Sequence, residues 1–150
     1  MIPIREARNR GWCALKSLPG KVCVVDDDEA VRDSMCAWLK SYGIEVEAYP
    51  SAHEFLACST NNCDCVLLDL NMPDMDGLQL LGAIRARGCL PPVIMLTACG
   101  DAQLSARVLQ AGAYALMNKP VQHEILLRLI ASAVARAAAV GGASHPPFPK

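Results

Sequence analysis

Cys65-Val66-Leu67-Leu68-Asp69-Leu70-Asn71-Met72-Pro73-Asp74-Met75-Asp76-Gly77 is the stretch that decides the fold. Its first four residues are apolar without alternation, and Asp69 ends the run. A strand wetted on one face alternates; a strand covered on both faces does not. The run therefore reads as a buried strand of a parallel sheet. Pro73 and Gly77 shape the loop that leads into the next helix. On the N-terminal side, Val22-Cys23-Val24-Val25 has the same form and ends in Asp26-Asp27-Asp28. On the C-terminal side, Pro91-Pro92 opens Val93-Ile94-Met95-Leu96, and Tyr114 to Asn118 follows as a further strand. Glu45 to Tyr49 alternates and is the remaining strand.

Helical spacing fills the gaps between strands. Val31, Met35, Trp38, Leu39 and Tyr42 form one stripe, closed by Gly43. Asp28 and Glu29 lie in its first turn, where acids favour the helix dipole. Ser51-Ala52-His53-Glu54 is a capping-box pattern before a short helix ending near Cys58. Leu78, Leu81 and Ile84 or Arg85 mark a helix ending near Gly88. Asp101 to Ala111 is a helix with Leu104, Val108 and Ala111 on one face. His123 to about Ala139 is the longest, with Ile125, Leu126, Leu129, Ile130, Ala133 and Val134 at core spacing. Five alternations of strand and helix predict an α/β fold with helices on both faces of a parallel sheet.

The chain has 150 residues, 53% of them hydrophobic and 19% charged, with a net charge of -1. That supports one sizeable core and argues against disorder and a global basic field for nucleic acid. Charges or prolines interrupt every apolar run before a membrane span is reached. Residues 1–20 read as a basic extension, 21–139 as the domain, and 140–150 as a flexible Gly/Pro-rich tail. The extension has no apolar signal core, which predicts a cytoplasmic protein. The eight cysteines contain no Cys-x-x-Cys pair, and most read as small core hydrophobes in a reducing compartment.

In such a sheet the site lies at the carboxyl ends of the strands. Asp26-Asp27-Asp28, Asp69, Thr97 and Lys119 all fall there, far apart in sequence. Carboxylates this close repel one another unless a cation intervenes, and an all-oxygen cluster suits Mg²⁺. Lys119 supplies a point charge and Thr97 a hydroxyl. The set fits phosphoryl transfer to a carboxylate.

Val24-Val25-Asp26-Asp27-Asp28-Glu29, Leu67 to Gly77, Thr97-Ala98, Ala111-Gly112-Ala113 and Lys119-Pro120 together resemble the receiver domain of two-component response regulators. The similarity runs in order over residues 21–139, and the segment 97–112 is most similar to the FixJ-like subclass. The resemblance implies a flavodoxin-like sheet of strand order 2-1-3-4-5. It implies that Asp69 is the phosphoacceptor. Asp27 would ligate Mg²⁺ directly and Asp26 directly or through water, with the backbone carbonyl of Asn71 and Asp69 completing the protein ligands. Thr97 would bond a phosphoryl oxygen, Lys119 would pair with Asp69 or its phosphate, and Lys119-Pro120 would be cis. The implied partners are a sensor histidine kinase or phosphotransfer protein and a downstream protein. The 101–139 face is the candidate partner and homodimer surface, with Arg107, Tyr114, His123 and Arg128 as contacts.

One position departs from the family. Leu116 stands three residues before Lys119, where receivers usually carry Tyr or Phe. Tyr114, two residues earlier, is expected on the same strand face. Eleven residues after Ala139 are too few for a DNA-binding domain, so the expectation is a stand-alone receiver without nucleic-acid or membrane contact of its own. The rival readings are the receiver part of a longer DNA-binding regulator and a pseudo-receiver that works without phosphorylation. An Asp-nucleophile phosphatase is disfavoured, because Asp69-Leu70-Asn71 lacks a second carboxylate. The protein is read as a phosphoacceptor that labels and unlabels itself rather than as an enzyme.

Overall fold

The unbroken apolar runs become strands because neither of their faces can meet water. The computed structural model describes residues 20–58, 63–88 and 91–141. Lys21–Val25 is β1, Glu45–Tyr49 β2, Cys65–Asp69 β3, Val93–Thr97 β4 and Ala115–Asn118 β5. All pairings are parallel, in the order β2-β1-β3-β4-β5. This is the doubly wound sheet expected from the sequence. Every residue of β3 and β4 is buried. β2 lies at an edge and none of its residues is fully buried; Glu45 and Ala48 are exposed and the other three half-buried, so its burial does not follow the alternation read in the sequence.

Helices α1 (Glu29–Lys40) and α5 (His123–Gly141) cover one face; α2 (Ala52–Ala57), α3 (Gly77–Ala86) and α4 (Ala102–Gln110) cover the other. Strand alternation divides the core between them. Val22, Val24, Leu67, Ile94 and Leu96 point to the α1/α5 side, and Cys23, Val25, Leu68, Val93 and Met95 to the other. Each fully buried leucine, such as Leu67 or Leu81, contributes on the order of 2 kcal/mol. Asp28, Ser51, Asp76 and Asp101 accept first-turn amides at four helix N-termini. The reciprocal capping box forms at Asp76 and Gln79; at Ser51 the serine oxygen takes the Glu54 N–H.

The structure corrects several details. Ile125 is exposed and Leu127 buried, because the stripe of α5 that meets the sheet is Leu126, Leu127, Ile130, Ala133 and Val134. On α3 the fully buried pair is Leu80 and Leu81, with Leu78 half-buried at the margin of the core. α5 runs to Gly141, past the expected helix end near Ala139. Residues 1–19 and 142–150, on which the extension and the rest of the tail fall, lie outside the described residues.

Cys23 and Cys63 form a disulfide, contrary to the reading of Cys23 as a plain core hydrophobe. The fold explains the pairing. Parallel register sets Val22 beside Cys65 and would put Cys63 beside Gly20, so the bond forms because the chain bends at Asp64 before β3, bringing the Cα atoms of Cys23 and Cys63 to 6.0 Å. Cys65 is free and fully buried, and that burial pushes its thiol up to about 12. Gly77 matters for the site. A Cβ there would lie 2.8 Å from the Cα of Leu70 and 2.9 Å from the carbonyl oxygen of Asp69. Only glycine lets α3 start this close to the end of β3.

Candidate functional site

Asp26, Asp69, Thr97 and Lys119 each end a strand or directly follow one, and Asp27 and Asn71 lie one residue further on. Asp26 follows β1 and is buried. Its Oδ1 accepts the Asp28 N–H at 2.9 Å, and its backbone oxygen accepts the Arg32 guanidinium at 2.8 Å. Asp69 closes β3, is also buried, and accepts the Asn71 N–H at 3.3 Å. Lys119 follows β5 through a cis bond to Pro120, as the resemblance implies. Its Nζ lies 3.2 Å from Asp26 Oδ2 and 3.3 Å from Asp69 Oδ1. Asp27 is exposed at the rim, and one oxygen from each of Asp26, Asp27 and Asp69 lies within 4.8 Å of the others.

Thr97, at the end of β4, is buried. Its hydroxyl donates to Asn71 Oδ1 at 3.2 Å and accepts the Cys99 N–H at 3.3 Å. All six site residues predicted from sequence are thus brought to one rim. Three carboxylates face one ammonium, and the imbalance appears in their proton affinities. Burial, followed by the Asp26 carboxylate, pushes Asp69 up to about 6 against the opposing pull of Lys119. Lys119 is raised in turn: burial acts to lower it, but Asp26 and Asp69 together outweigh that. An all-oxygen cluster with surplus negative charge fits a hard divalent cation such as Mg²⁺.

Sequence reasoning missed Arg32, which anchors the end of β1. Its signal was weak: a cation in the first turns of a helix, where acids are favoured. It also missed the side-chain role of Asn71, which receives the Thr97 hydroxyl.

Two expectations about the neighbouring face change. Tyr114 precedes β5, packs on the α1/α5 side, and its hydroxyl meets Ser132 Oγ at 2.7 Å. Leu116 packs on the opposite side of the sheet. Tyr114 therefore does not stand in for the missing aromatic, because the chain enters the strand only at Ala115. His123 stacks on Trp38 of α1, with centroids 4.2 Å apart, and so faces α1. Arg107 and Arg128 are exposed as expected.

A family model described as "Response regulator receiver domain" matches residues 22–131. The transcriptional regulatory protein TdiR of Thauera aromatica is 39% identical over 115 residues, 76% of this chain and 51% of TdiR. The transcriptional regulatory protein FixJ of Azorhizobium caulinodans is 35% identical over 127 residues, 84% of this chain and 59% of FixJ. The chain thus spans between half and three-fifths of the length of these relatives. The crystal structure of FixJ-N superposes with a TM-score of 0.72 at 32% identity, covering 79% of this chain and 95% of that one.

Proposed function

The chain belongs to the response regulator receiver domain family, and from that premise we propose that its phosphoacceptor is Asp69. The observation that carries this is the Lys119 ammonium held between the buried carboxylates of Asp26 and Asp69. The donor is a phosphohistidine on a sensor kinase or phosphotransfer protein. Asp69 attacks phosphorus, a P–O bond forms, and the P–N bond breaks with its electrons going to the imidazole. Asp26, Asp27, Asp69 and the Asn71 carbonyl would hold Mg²⁺, which would supply a positive charge to offset that on the migrating phosphoryl. The Lys119 ammonium pairs with the added charge, and the Thr97 hydroxyl leaves Asn71 for a phosphoryl oxygen. The change then reaches the face formed by α4, β5 and α5, which serves a downstream protein or a second copy. Small acyl phosphates also label the domain, and water removes the label.

A second reading concerns output. The relatives are transcriptional regulators of which the matched segment covers only 51% and 59%, which favours a receiver serving a DNA-binding regulator. An immunoblot of the native protein separates this from a stand-alone receiver by size. Among the described residues no helix is long and apolar enough to cross a membrane.

Acetyl phosphate with Mg²⁺, followed by intact mass, tests the function: one phosphoryl adduct is expected with the metal and none with EDTA. An unlabelled wild type would leave the pseudo-receiver reading. Lys119→Ala should still be labelled, but about 10²-fold more slowly, since one positioned charge donor is gone. NMR shifts in α4 and α5 on labelling should largely vanish in that variant; full wild-type shifts would remove Lys119 from the switch.

A further inference from the structure

Asn118 is not used by the phosphoryl chemistry, yet it ties the end of β5 to the loop between β4 and α4. Its Oδ1 accepts the Gly100 N–H at 3.0 Å. The next residue repeats the tie through the backbone, Lys119 N–H to the Thr97 oxygen at 2.7 Å. Gly100 sits so close that a Cβ there would lie 2.7 Å from Asn118 Oδ1, 3.0 Å from Thr97 Cγ2 and 3.5 Å from Leu116 Cδ2. One residue later, Asp101 caps α4 by accepting the Leu104 N–H at 2.8 Å. Asn118 therefore grips the loop between the Thr97 hydroxyl and the first turn of α4.

We propose that Asn118 is a positioning residue that latches this loop in its resting arrangement and sets the threshold for switching; this rests on the reading of Asp69 as phosphoacceptor. The Thr97 hydroxyl cannot turn to a phosphoryl group and keep both Asn71 and the Cys99 amide. Once it turns, Cys99 loses its acceptor, and the Gly100–Asn118 bond is the next restraint on the loop. Leu116 packs beside that loop and has no polar group to form a replacement bond in the displaced state. The latch thus weights the resting state, and losing it shifts the balance toward the switched state.

The test is NMR of wild type, Asn118→Ala and Asn118→Asp, each titrated with beryllofluoride at saturating Mg²⁺. One exposed hydrogen bond corresponds to about a fivefold change in the two-state constant. In Asn118→Ala, α4 amides without beryllofluoride should be displaced along the line toward their wild-type saturated positions. Half-maximal response should come at about fivefold lower beryllofluoride, because a larger fraction is competent to bind it. Asn118→Asp keeps the acceptor and should return the Gly100 amide and the midpoint toward wild type. Unmoved α4 amides and an unchanged midpoint in Asn118→Ala would overturn the latch while leaving Asp69 in place. A wild type that does not respond to beryllofluoride would overturn the receiver reading and the latch together.

Discussion

Asp69→Asn should carry no phosphoryl label under conditions that label the wild type fully, and the metal-free variant should be the more stable protein. The amide cannot form an acyl phosphate, so intact mass after acetyl phosphate and Mg²⁺ should show the unmodified chain alone. Equal labelling of both proteins would move the acceptor elsewhere. The stability effect has a definite pH window. Folding raises Asp69 from its ordinary 3.8 to about 6, so the folded state holds this proton more tightly than the unfolded one. The contribution of Asp69 to wild-type stability then falls as pH rises from about 4 to about 6. Asparagine does not titrate, so the gap between the two proteins opens across that window and stays open above it. Solvent screening at the open rim limits it to about 1–2 kcal/mol. Urea unfolding of both proteins at pH 4 and pH 7.5, with and without Mg²⁺, checks this. The gap should be small at low pH, present at neutral pH, and closed by the metal, which stabilises only the carboxylate form strongly. A gap that ignores pH would mean that Asp69 is not strained by Asp26 and burial.

Opening the Cys23–Cys63 bond should have the largest effect on stability. The cross-link spans a sequence separation of 40. Closing a loop of that length removes unfolded-state entropy worth about 4 kcal/mol. Wild type with and without a phosphine reductant, beside Cys63→Ala, should give two coincident low urea midpoints and one high one. Coincidence of all three would show that the bond does not contribute. Phosphorylation should survive reduction. Cys23 points to the α2/α3/α4 side of β1 within the core, whereas the acceptor sits at the strand ends.

The architecture was readable from local pattern. Cys65–Asp69 and Val93–Thr97 lie in the middle of the sheet and are buried at every residue. Such strands have no wet face, and the lack of alternation says so directly. Once the strands were placed, parallel topology required Asp26, Asp69, Thr97 and Lys119 to share one rim, because all strands end on the same side. What the local pattern could not carry was the phase and pairing of groups joined through space. Which of Ile125 and Leu127 faces inward depends on how α5 is rolled on the sheet. The Cys23–Cys63 bond depends on how the chain bends at Asp64 before it enters β3. Tyr114 and Leu116 parted because the strand begins one residue later than its apolar pattern suggests. The Lys119 bridge, the Thr97–Asn71 bond and the Asn118–Gly100 tie each depend on side-chain geometry between separate strand ends. Residue types and order determined which groups meet; only the packed sheet decided which atom of each group meets which.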